Sequence, residues 1–112
     1  MTLEEQVFEI RRSFETGTIS EAVLIDLYKE YSDIEDIALF VHRAKESFPM
    51  GNCGLASLYL KKVLGTGEIV QGMYENQPHT FLLVDNQIID ITADQYGGPK
   101  IYMGPLIAPW SK

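Results

Sequence analysis

CGLASLYLKKVLGTGEIVQGMY, residues 53–74, changes period partway along, and that change decides the fold class. Up to Leu64 the stretch reads as a helix, closed by Gly65 and Gly67. From Glu68 it turns β-branched and aromatic, as a short strand does. Upstream the chain is helical. Leu3, Val7, Ile10 and Phe14 form one stripe of a first helix that should stop near Gly17. Thr18 and Glu21 have capping-box spacing for a second helix carrying Ala22, Ile25, Leu27, Tyr28 and Tyr31. Ser32 and Glu35 repeat the device for a third, which Pro49 ends. Downstream, TFLLV (80–84), QIIDI (87–91) and KIYM (100–103) read as strands, with QP (77–78), DNQ (85–87) and YGGP (96–99) as turns. The tail GPLIAPW holds two prolines and the only Trp, and is expected to lie across a surface rather than extend a sheet. Helices followed by about four mainly antiparallel strands make an α+β protein of one domain, with a helical part (1–49) and a cysteine-bearing part (50–112).

The 112 residues include 46% apolar and 22% charged side chains, ordinary for a globular chain. A net charge of -7 argues against binding nucleic acid or an anionic membrane, since both need clustered positive charge. No apolar run is long enough to span a bilayer, and the acidic start MTLEEQVFEI has no Sec-type signal pattern. One cysteine forms no internal disulfide, which fits a cytoplasmic protein and equally a toxin or effector exported by another route.

That cysteine, Cys53, stands between Asn52 and Gly54 at a helix start. A lone cysteine is commonly a small buried hydrophobe. Here Asn52 is a good N-cap, and the positive end of a helix favours a thiolate. A nucleophilic thiol needs a base, and the base an orienting group. Of the two histidines, His42 lies in a helix beside Arg43 and reads as solvated, whereas His79 opens the most apolar strand. Asp90 interrupts IIDI, where a carboxylate must be paired or hydrogen-bonded, and strand alternation puts it on the face of Ile88 and Thr92.

Asn-Cys at a helix start, then His-x-Phe-Leu-x-Val, then Ile-Asp-x-Thr-x-x-Gln, over about residues 50–96, resembles the papain-like and transglutaminase-like cysteine hydrolases, especially compact bacterial glutamine deamidases and papain-fold toxin domains. The resemblance implies a papain-like core in which Cys53 is nucleophile, His79 base and Asp90 the orienting group, acting on a glutamine side chain or other amide of a protein or peptide through a thioester. It implies no metal and no organic cofactor. Two departures stand out. The glutamine that precedes the cysteine in papain-type enzymes is missing, leaving Asn52 and Gln95 as oxyanion candidates. A tight hairpin looped at Asn86 and Gln87 would pair His79 with Asp94 and leave Asp90 roughly 13 Å along the strand; a bulge or another register would bring it closer. Asp90 is favoured by the motif, and Asp94 is the alternative. Rival readings are a cysteine peptidase, and a non-enzymatic interaction domain (adaptor, immunity protein or inactive relative) with a buried structural Cys53. A metal site on Cys53, His79 and Asp90 lacks any close-spaced ligand pair.

Overall fold

The computed structural model describes all 112 residues. Four helices, α1 (Leu3–Thr16), α2 (Glu21–Tyr31), α3 (Ile37–Ser47) and α4 (Cys53–Leu64), precede strands β1 (Glu68–Tyr74), β2 (Gln77–Val84), β3 (Gln87–Asp90), β4 (Tyr102–Pro105) and β5 (Trp110–Ser111), with one 3-10 turn at Ala93–Tyr96. The sheet is antiparallel in the order β4-β3-β2-β1-β5. The protein is therefore α+β, with five strands where about four were expected. The additional strand is the tail. Pro109 accepts a bond from the Glu75 amide through its carbonyl (2.7 Å), and Trp110 pairs with Tyr74, so the prolines do not prevent strand pairing at a sheet edge.

The helix caps differ from expectation for local reasons. Thr18 returns its amide to the Ser13 carbonyl and belongs to the end of α1, so Ser20 caps α2. Ser32 ends α2 through a bond from its amide to the Tyr28 carbonyl, and α3 starts only after Asp36 at positive φ (51°). α4 begins and ends as read from sequence, and Gly65 closes it in the left-handed region (φ 72°). Residues 77–78 are strand rather than turn: the β3 ladder covers only Leu82–Val84, so Pro78 sits where β2 has no neighbour on that side.

The register of β2 and β3 is the decisive feature. Asp85 and Asn86, both at positive φ (49° and 67°), form the two-residue loop, so Leu83 faces Ile88 and Leu82 faces Ile89. A loop one residue later, at Asn86 and Gln87, would have paired His79 with Asp94 instead. The observed register brings Asp90 back toward His79 on the same face, because strand side chains repeat every second residue.

Each sheet face carries its own core. Leu82, Ile89 and Ile91 pack with Val7, Phe14, Leu24, Val41, Leu55 and Leu60 of the helices. Val70, Phe81, Leu83 and Ile88 on the other face pack with Tyr74, Ala93 and Trp110, so the tail does there what helices do opposite. His79 and Asp90 lie on that second face, and both are buried at 2% exposure.

Candidate active site

Asp90 is a buried carboxylate with four donors around it. Oδ2 accepts from His79 Nε2 (2.7 Å) and from the Trp110 indole N–H (2.8 Å). Oδ1 accepts from the Thr92 amide (2.9 Å) and hydroxyl (3.3 Å). The amide and indole can only donate, so both oxygens act as acceptors, and the ring proton belongs on Nε2. His79 Nδ1 is left facing away from Asp90, buried and with no well-aligned hydrogen bond.

Cys53 is the other group that acts on the ring. Its thiol is half-buried at the first turn of α4, and Ser57 ties that turn to β2 by bonding both the Cys53 carbonyl (2.6 Å) and the Thr80 carbonyl (3.3 Å). Burial opposes the thiolate, but His79 together with the Thr80 amide and hydroxyl outweighs it, so the thiol pKa falls below its ordinary value. Burial would likewise lower the imidazole, yet Asp90 and Cys53 raise it to about 9. A lowered thiol beside a raised ring is the combination that favours a thiolate–imidazolium pair. The imidazole has the carboxylate on its Nε2 side and the Cys53 thiol as its other charged neighbour; no group of three His, Cys, Asp or Glu side chains is arranged to hold a metal ion.

Asp94, the alternative orienting group, is committed elsewhere. Its oxygens accept from both terminal nitrogens of Arg11 at 2.8 and 2.9 Å, and Arg11 also donates to the Ile91 carbonyl at 2.7 Å. Arg11 is 5% exposed and lies over the Phe48 ring. It fastens the segment after β3 to the helical layer and holds Asp94 away from His79.

Asn52 does not cap α4 with its side chain. Its Nδ2 donates to the Ala44 carbonyl (2.8 Å), which pins the end of α3, and the first amides of α4 have no side-chain cap. Gln95 meets the other side of the same turn. Its Oε1 accepts from the Gly51 amide (3.4 Å), which fixes the orientation of the side-chain amide and leaves a buried Nε2 without a partner. Tyr96 bonds the Pro78 carbonyl (2.8 Å) and sets its ring edge-on to His79. His42 is exposed, between Glu21 and Glu46, as a solvated helix histidine should be.

The structure thus brings Cys53, His79 and Asp90 together, while the Asn52 amide nitrogen and the Asp94 carboxylate are bonded to other partners. Sequence reasoning missed Thr80, Ser57, Arg11 and the role of Trp110. Thr80 had one signal, its place beside His79; a buried arginine 80 residues before its carbonyl partner had none.

Comparisons with family models, curated proteins and solved structures give no match. No helix is long and apolar enough to cross a membrane.

Proposed function

We propose that this protein is a cysteine-dependent amide hydrolase of papain-like or transglutaminase-like type, with the side-chain amide of a protein glutamine as its leading substrate. The observation that carries the reading is the buried relay Asp90–His79–Cys53, with the thiol lowered and the imidazole raised. A structural cysteine needs neither a polarised imidazole nor an unfilled nitrogen aimed at it.

Cys53 attacks the amide carbon as thiolate, forming a C–S bond while the carbonyl π electrons move to oxygen. The resulting oxyanion takes hydrogen bonds from the Cys53 amide at the helix start and from Gln95 Nε2, the one free donor beside that turn. The C–N bond then breaks, and the imidazolium gives its Nδ1 proton to the departing ammonia, leaving a thioester. Neutral His79 next takes a proton from water as it attacks the thioester, and the thiolate departs. An amine in place of water gives transglutamination. Asp90 keeps the other ring proton on Nε2 throughout.

The test is ammonia release from a glutamine-containing peptide, with peptide mass read in parallel. Side-chain hydrolysis exchanges NH2 for OH, whereas peptidase action splits the chain. Release that vanishes in Cys53→Ala and His79→Ala supports the reading. A Cys53 that reacts with iodoacetamide only after unfolding sinks it.

A further inference from the structure

The proposed mechanism uses Cys53, His79, Asp90 and Gln95 and leaves Trp110 unexplained. This is the only tryptophan in the chain, 5% exposed, and it lies 20 residues past the carboxylate it touches. Its position is built deliberately. The ring stacks on Tyr102 (centroids 3.9 Å apart) and meets Tyr74 edge-on at 5.1 Å. Its backbone amide closes a turn on Ile107 (3.0 Å), and its strand pairs with β1. Gly72, opposite His79 in the ladder, makes room for this tail: a Cβ there would collide with the Ser111 carbonyl and press on the Phe81 ring. Packing alone would be served by phenylalanine. What only tryptophan supplies is the N–H on Asp90 Oδ2, the same oxygen that holds His79.

We propose that Trp110 is a positioning residue for the triad: its indole N–H shares Asp90 Oδ2 with His79 and so moderates how strongly the carboxylate holds the imidazole proton. The inference rests on the proposed thiolate–imidazolium pair and adds a regulator to it. Two donors on one oxygen divide its charge between them. With the indole bond removed, Oδ2 answers to His79 alone, the imidazolium is held more tightly, and it becomes a weaker acid toward the leaving ammonia. The other titratable groups facing His79 are Cys53 of α4, Tyr74 of β1 and Tyr96 of the 3-10 turn; among these and Asp90, only Asp90 is hydrogen-bonded to the indole.

The experiment is an NMR titration of the two histidines, with exposed His42 as internal reference, in the wild type and in Trp110→Phe. A second protein replaces the single tryptophan biosynthetically with benzothienylalanine, which keeps the ring shape and lacks the N–H. The expected result is a His79 midpoint raised by roughly half to one pH unit in both altered proteins, the size of a modest change in one hydrogen bond to a charged group. A high wild-type midpoint that neither replacement moves, in folded proteins, overturns the proposal and leaves the hydrolase reading standing. A wild-type midpoint at the ordinary histidine value removes the ion pair itself, and this proposal with it. Should Trp110→Phe fail to fold, the benzothienyl protein decides.

Discussion

Replacing Asp90 by Asn changes one atom and should disable the thiol. The Thr92 amide and the Trp110 indole both donate, one to each oxygen of Asp90, and an asparagine has only one acceptor. If its oxygen serves Thr92, its NH2 confronts both the indole N–H and His79 Nε2. The imidazole must then present a lone pair at Nε2 and carry its proton on Nδ1, where it can no longer receive the thiol proton. The rise of His79 from 6.5 to about 9 corresponds to about 3 kcal/mol in favour of the imidazolium. Losing the Asp90 share of that lowers the thiolate population at pH 6 and slows labelling there. The orphaned indole N–H adds a stability cost of about 1–3 kcal/mol. Iodoacetamide labelling at pH 6 followed by intact mass reads Cys53 directly, since it is the only thiol. Urea unfolding in parallel confirms that the variant is folded. If folded Asp90→Asn labels as fast as the wild type at pH 6, the relay is not what activates Cys53.

Arg11→Met strands the Ile91 carbonyl and leaves Asp94 without its ion pair, so it should cost about 3–5 kcal/mol, read as a lower urea midpoint; a loss under about 1 kcal/mol would mean that Arg11 does not hold the layers together. Gln95→Leu removes the free donor from the oxyanion site, and should reduce kcat for amide hydrolysis by about 10²–10³ while the pH profile of Cys53 alkylation stays put. A shift in that profile would place Gln95 in the ion pair instead. The two titrating partners also oppose each other in stability. His79, raised, stabilises the fold fully below about pH 6.5 and loses that contribution as pH climbs through about 9. Cys53, lowered, stabilises above the ordinary thiol value and loses that contribution as pH falls through its folded value. The two slopes have opposite signs, because folding moves a proton from sulfur toward the ring. Cys53→Ser removes the thiol contribution, so its stability relative to wild type should fall as pH rises toward the ordinary thiol value. Parallel curves for the two proteins would refute the pairing.

Sequence by itself determined the order of the main elements and singled out the groups that the fold brings together. Helical stripes in the first half, α4 with its glycine stop, and the change of period at Glu68 follow from spacing that local geometry enforces. Cys53 and His79 stood out because a thiol at a helix start and a histidine opening an apolar strand are odd choices for packing alone. Asp90 was singled out by the cost of burying its charge. Tertiary structure decided which carboxylate serves the histidine. Moving the hairpin loop from Asn86–Gln87 to Asp85–Asn86 shifts the register and exchanges Asp94 for Asp90, and sequence spacing weighs the two loops almost equally. Arg11 then removes Asp94 from contention through contacts 83 residues apart, which no local pattern encodes. The tail was misjudged for the same reason. Two prolines disfavour a strand in isolation, but a bare sheet edge at β1 and a glycine opposite His79 make the pairing available only once the sheet exists. Local preference names the parts; long-range register and burial, which depend on the whole chain being folded, decide which of them meet.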